Sequence, residues 1–455
     1  EKFAQSVHSP DKGPRAPGKQ APPNCNDCHT AHSVRRTDQG GFKLEVMSRC
    51  GRCHEEVAKT YFETYHGKVS QLGYAKTAKC HDCHGAHDIF PVNDPRSHLS
   101  RQNIVETCRN CHPDATRRFA GYLTHATHHD PGKYPLIFWT FWGMTSLLLG
   151  TFGFFWLHTL LWLPRALQLR KEHPPRPYDP GEPQHIRFPL LYRWLHGLMI
   201  VSFITLALTG MSLKFSYTRW AQVLSHLLGG FETAGFIHRA AAVVMFGLFL
   251  THLWDVTLRK RKEAGSWPAL FLGPDSMLPN LTDLREFVDT LKWYLGLSAH
   301  PRYGRWTYWE KFDYFAVFWG IAIIGSSGLM LWFPEAFTRV LPGWLINVAT
   351  IIHSDEALLA TGFIFTVHFF NTHLRPDKFP MDLAVFTGRV PLEDFKRERP
   401  REYEALRDAG RLEELAAEPL PLYLIKALRV FAWCALAAGF SIVIGIIYAM
   451  IFAYK

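Results

Sequence analysis

The polarity pattern divides the chain in two. Residues 1–131 mix short polar runs with His, Cys, Gly and Pro, whereas long apolar runs recur from Tyr134 onward. Six of these, over 134–163, 189–213, 232–257, 312–333, 345–370 and 428–453, reach the roughly 20 residues a helix needs to cross a hydrocarbon core of about 30 Å. Another stretch, 281–297 (LTDLREFVDTLKWYLGL), repeats its apolar positions at helical period. It is expected to lie along the inner membrane surface, with a plain solvated helix as the alternative. The pattern predicts a mainly α protein. Its two parts are a head of short helices and loops over 1–131 and a six-helix transmembrane bundle over 132–455.

Composition adds boundaries. With 455 residues, 47% hydrophobic and 14% aromatic, the chain is neither intrinsically disordered nor collagen-like. A net charge of +10 invites a nucleic-acid reading, but the basic residues sit in the connections between apolar runs and form no stripe with interleaved aromatics. No nucleic-acid partner is expected. The connections 164–187, 258–311 and 371–429 carry 5, 9 and 11 Lys and Arg, against 2 and 1 for 214–230 and 334–344. The positive-inside rule therefore predicts that the first set is cytoplasmic and that the head faces the periplasm of a bacterial inner membrane. The chain opens at Glu1 without Met or a signal-like segment, which is read as the mature form of an exported protein.

Eight of the nine cysteines form four CxxC pairs, each followed directly by His: Cys25, Cys28 and His29; Cys50, Cys53 and His54; Cys80, Cys83 and His84; Cys108, Cys111 and His112. Two thiols on one turn reach the two vinyl groups of a haem, and the adjacent His then lies under the iron. A zinc ribbon needs no His after its second Cys, and thioredoxin-like pairs do not come in fours. The expectation is a tetrahaem cytochrome c head carrying four haem c. The head also reads as a duplication: His8 and His66, Cys50 and Cys108, and His54 and His112 are each 58 residues apart, while Cys25 and Cys80 are 55 apart, as are His32 and His87. A third copy begins near His125. The spare histidines match the second axial ligands that low-spin haems need, so four of His8, His32, His66, His87 and His125 are the predicted distal ligands. Closed bis-His irons suit electron transfer rather than substrate chemistry. His81, His98, His128 and His129 are expected to be surface or supporting residues.

Ionisable residues in hydrocarbon are costly and mark function. The third span holds His238 and His252, and the fifth holds His353 and His368. Their separations of 14 and 15 residues keep each pair on one face and place its members about 21 Å apart along the axis. Two such helices can clamp two haem b. On spacing alone, His238 with His353 and His252 with His368 are the ligands.

His196 offers a second scheme. The segment Tyr192-Arg193-Trp194-Leu195-His196-Gly197, ending in Leu208-Thr209-Gly210, resembles the first helix of the cytochrome b subunits of formate dehydrogenase, nickel–iron hydrogenase and thiosulfate reductase. The resemblance covers about 188–375. It implies that His196 pairs with His368 and His238 with His353, leaving His252 spare. It also implies a menaquinone site near the cytoplasmic-side haem, in the stretch from Arg302 to Asp313. Tyr303, Lys311, Asp313 and His373 are the quinone-site candidates, with an ordinary interfacial belt of Trp, Tyr and Lys as the alternative. His158 and His373 near the cytoplasmic face are read as interfacial, with a third haem or a quinone as the other possibility. Asp355 and Glu356 are candidates for proton transfer or propionate binding, Glu335 closes the fourth span, and Cys434 is read as a packing residue.

The function expected is membrane electron transfer between menaquinone or ubiquinone and periplasmic cytochromes or other redox proteins. The alternative is a relay or anchor subunit of a larger respiratory complex whose active site lies on another subunit. No catalytic triad, P-loop or nucleotide fingerprint points to another enzyme class. The sequence leaves the direction of electron flow open.

Overall fold

The computed structural model describes residues 1–12 and 21–453. The fold is mainly helical. Over 1–131 the helices are short, among them Cys25–His29, Gly40–Gly51, Glu55–Glu63, Tyr65–Gln71, Cys80–His84 and Ile104–Arg109. Among the described residues, six helices are long and apolar enough to cross a membrane: α1 Pro135–Glu172, α2 Leu190–Lys214, α3 Phe231–Ala264, α4 Tyr308–Trp332, α5 Trp344–Leu374 and α6 Leu422–Ala453. Their outward faces carry exposed Trp139, Leu157, Leu160, Phe236, Leu250, Trp254 and Ile444. Such a continuous apolar surface suits lipid rather than water.

The ends of these helices depart from the apolar runs because caps decide them. α1 starts with Pro135 at its first turn and continues through Pro164 to Glu172. α4 begins before its apolar run, at Tyr308, because Thr307 and Glu310 form a reciprocal capping box: the Glu310 carboxylate accepts from Thr307 N at 2.8 Å. α5 widens into π turns over Ile364–His368 and Phe370–Leu374.

Inside the bundle, α2 packs on α3, α4 on α5, and α5 on α1. α6 closes against α2 and α5 through Met211, Phe215, Phe365, Phe369, Leu436 and Ile446. The head sits at the end where α2 meets α3 and α4 meets α5. Ser216 Oγ donates to Gln71 Oε1 at 2.8 Å, and the Tyr74 hydroxyl donates to Glu232 Oε1 at 2.7 Å. Asn347 bridges both backbone groups of Leu123, at 2.9 and 3.0 Å. Contact is tightest at Gly343, where an added Cβ would stand 2.4 Å from the Arg118 carbonyl oxygen.

The three basic connections meet at the opposite end. Arg187, 5% exposed, donates to Glu402 at 2.9 Å; Arg305 reaches the other oxygen of Glu402 at 2.6 Å, and Arg399 donates to Glu310 at 2.8 Å. A small antiparallel sheet ties the same connections together. β1 (Gln184–Ile186) lies between β2 (Arg389–Pro391) and β3 (Ala416–Ala417), with His185 opposite both Val390 and Ala416. The helix Leu281–Tyr294 packs here against α1 and α4. It buries Asp283, Glu286, Thr290 and Trp293 and exposes Leu281, Leu284 and Val288. Its polar stripe faces protein and its apolar stripe faces outward, the arrangement of a helix lying along a membrane surface.

Candidate functional site

The CxxCH segments are built by local structure. Cys25–His29 and Cys80–His84 are single helical turns, each opened by an aspartate that caps the backbone: Asp27 accepts from Asn24 N at 2.6 Å and Asp82 from Lys79 N at 2.8 Å. Each turn is closed by a residue of positive φ, Thr30 (63°) and Gly85 (85°), which stops the helix directly after the histidine. All eight thiols of the four motifs are free and line one continuous cavity of about 2,370 Å³. His29, His54, His84 and His112 line it too.

Each of these four rings faces a second imidazole. The centroids of His8 and His54 are 6.0 Å apart, those of His29 and His87 6.0 Å, of His66 and His112 6.3 Å, and of His84 and His125 6.3 Å. A fifth pair lies in the bundle, His238 of α3 with His353 of α5 at 6.3 Å. For comparison, His128 and His129, which lie outside the cavity lining, are in ring contact at 4.0 Å. His32 is exposed and lines no part of the cavity. The pairing is crosswise. His8–His54 and His66–His112 repeat each other at the 58-residue period, but His87 of the second unit faces His29 of the first, and His125 faces His84.

The fit of these rings to an iron can be judged from their spacing. Two metal–nitrogen bonds of about 2 Å, with about 1.1 Å from each nitrogen to its ring centre, add to about 6.2 Å. The five pairs match it. Four of the ten rings also have an outer nitrogen engaged: His125 Nδ1 with Thr60 Oγ1 at 3.2 Å, His238 Nδ1 with Thr209 Oγ1 at 2.8 Å, His353 Nδ1 with the Ile324 carbonyl at 3.0 Å, and His112 Nδ1 with Glu335 Oε1 at 2.8 Å. A hydrogen bond at Nδ1 fixes the tautomer and leaves Nε2 for a metal. Burial, reinforced by His112 opposite, pushes His66 down to about 4. Burial followed by the nearby His125 lowers His84 as well. Both rings are therefore neutral at physiological pH, the ligating form. The residues present fit haem.

No family model, curated protein or solved structure matches this chain.

The far end of the cavity is lined by His196, His368, His373 and Phe386. His196 faces Phe386, with ring centroids 6.3 Å apart. His368 Nδ1 holds Asp313 Oδ2 at 2.9 Å, and His373 stacks on Phe386 at 6.0 Å with its own Nδ1 unpartnered. His252 is placed differently. Its Nε2 is engaged by the Tyr314 hydroxyl at 2.8 Å, and it lies outside the cavity lining. His158 Nε2 is likewise taken by the Tyr308 hydroxyl at 2.6 Å.

The four quinone-site candidates do not share one pocket. Tyr303 is buried with its hydroxyl on Thr290 at 2.7 Å, and Lys311 is buried in an ion pair with Asp283 at 2.9 Å; neither lines the cavity. Asp313 lines the cavity as the partner of His368, and His373 lines it stacked on Phe386. Asp355 pairs with Lys214 at 2.7 Å, while Glu356 takes the Trp319 indole N–H at 2.8 Å and faces the cavity with its other oxygen unpartnered. Cys434 is exposed on α6 rather than packed. Two residues gained roles that spacing had not suggested, Asp313 and Glu335. Each supports a ring 55 or 223 positions away in sequence.

Proposed function

We propose that the chain moves electrons across the bacterial inner membrane between a quinone and a redox protein in the periplasm, using four haem c in the head and two haem b in the bundle. The observation that carries this reading is the set of five histidine pairs at 6.0–6.3 Å along one cavity that runs from the CxxCH motifs to the far end of the bundle. Bound haem would supply one-electron chemistry between ferric and ferrous iron.

The chain's own residues do the rest. The eight thiols would fix the head groups covalently. The pairs His8–His54, His87–His29, His66–His112 and His125–His84 would occupy both axial positions, leaving no place for a substrate or oxygen. In the bundle, His238 and His353 would hold the haem nearer the head, and His196 and His368 the one nearer the basic connections. Gly328 gives the first of these its room: a Cβ there would stand 2.9 Å from His353 Cε1. Apolar walls from Phe203, Ile204, Phe246, Ile324 and Leu436 keep water from the path. His373, with its unpartnered Nδ1 at the far end, is the group best placed to meet a quinone carbonyl. The basic connections at that end support a cytoplasmic assignment for it. The likeness of α2 to the cytochrome b subunits named above supports the same ligand scheme.

The test is stoichiometric. Pyridine haemochrome spectra of the purified full chain should give four c and two b haems per polypeptide. A protein with no haem b, or with zinc in place of haem c, contradicts the proposal.

A further inference from the structure

We infer that Glu335, a residue of the bundle, is the positioning residue for His112 in the head, and that it sets the redox potential of the haem c held by the His66–His112 pair. The inference rests on the haem reading above and deepens it.

Glu335 belongs to the short helix Pro334–Phe337 that follows α4. Its Oε1 lies 2.8 Å from His112 Nδ1. The turn that presents it is held rigidly. Thr338, fully buried, returns its backbone N–H and its hydroxyl to the Pro334 carbonyl at 3.0 and 2.8 Å. The head grips the next residues, since Arg118 Nη1 donates to the carbonyls of Arg339 and Val340, both at 2.8 Å. Asn347 and Gly343 complete the joint with Leu123 and Arg118. The carboxylate is therefore presented by the bundle, on a turn held by its own hydrogen bonds, and not by the head.

When Nε2 is committed to a metal, Nδ1 bears the proton and donates to Glu335. A carboxylate acceptor draws on that proton and makes the imidazole a stronger electron donor. Stronger donation and the added negative charge both favour ferric over ferrous iron, so the potential falls. The acceptors on His125 and His238 are uncharged hydroxyls, of Thr60 and Thr209. Among the described residues, His112 is the one CxxCH histidine whose ring carries a carboxylate. The pair also stands at the joint itself, with Tyr65 beside Phe231 of α3 at 5.9 Å. The haem at the crossing from bundle to head would thus be tuned from the membrane side.

The experiment is a spectroelectrochemical titration of the c-type α-band in the full chain in nanodiscs, comparing the unaltered protein with Glu335→Gln and Asn347→Ala. Glu335→Gln should move one of four c components upward by at least a tenfold change in its one-electron equilibrium, about 59 mV, and leave the other three in place. Asn347→Ala loosens the same joint without touching His112 and should move none. Four c haems with an unchanged titration in Glu335→Gln would overturn the inference. So would an equal shift in Asn347→Ala, because joint integrity rather than the carboxylate would then set the potential. Fewer than four c haems in the unaltered protein would instead overturn the haem reading beneath it.

Discussion

The sharpest discrimination concerns His252, which spacing offers for the second haem b, and His196, which the resemblance of α2 offers instead. The structure separates them by what each ring already touches. His252 Nε2, the nitrogen a metal would need, is bonded to the Tyr314 hydroxyl at 2.8 Å, and its ring lies outside the cavity lining. His196 and His368 both line the cavity, and His368 Nδ1 is braced by Asp313 at 2.9 Å. Replacing His252 by Ala removes one side-chain hydrogen bond, worth about 0.6 kcal/mol between membrane helices. The variant should fold and retain both b haems. On the proposed scheme, replacing His196 by Ala removes an axial ligand, so one of two b haems should be lost and the b-to-c ratio should halve. Pyridine haemochrome spectra of the purified variants read that ratio directly, with the four covalent c haems as internal standard. Loss of haem b in His252→Ala with both retained in His196→Ala would refute the reasoning.

Three further outcomes follow from specific contacts. Asp313→Asn keeps the size of the side chain but weakens support of His368, and should lower affinity for the far-end haem b by about 10–100-fold, measured by haem loss to apomyoglobin; retention equal to the unaltered protein counts against a bracing role. Gly328→Val places methyl groups where a Cβ alone is 2.9 Å from His353, so this variant should lose the head-side haem b while keeping the far-end one; two retained b haems would show that α4 can retreat. The third concerns pH. Burial pushes the Asp382 carboxyl up, but the Lys378 ammonium at 2.9 Å and the Ala384 backbone N–H at 2.8 Å together more than offset this and hold it at about 2, below its ordinary 3.8. A lowered carboxyl stabilises the fold above its unfolded value and loses that contribution as pH falls through the folded one. The Lys378–Asp382–Glu398 clasp should therefore contribute about 1–2 kcal/mol at neutral pH and let go between about pH 4 and 2, seen as protease sensitivity of the 375–400 connection. Lys378→Met should be sensitive throughout, and an acid profile unchanged by that substitution would remove the clasp from the account.

The parts of this architecture that sequence reveals are those written in local chemistry. Six apolar runs located six membrane-length helices, because a bilayer's thickness imposes a length no loop imitates. Helix ends were less legible: α4 starts where Thr307 and Glu310 cap each other, and α1 passes through Pro164 to Glu172. The three strands are two or three residues each, too short for any alternation to register. The CxxCH turns were unmistakable, and the spare histidines were countable but not assignable. His8 and His54 lie within one repeat, whereas His87 reaches across to His29 of the other, a choice made by tertiary packing. The acids Asp313 and Glu335 stood out as charged groups near the spans. Their partners lie on other helices or in the head, and only the folded chain brings them within 3 Å of the rings they support.

The central claim is that quinone electrons and the head are joined through the bundle. The direct measurement is optical: the oxidised full chain in nanodiscs, mixed anaerobically with a menaquinol analogue, with b and c α-bands followed in time. The account predicts reduction of b before c, with all four c haems filling from the bundle. No reduction by quinol, in a protein where dithionite still reveals four c and two b haems, would contradict it.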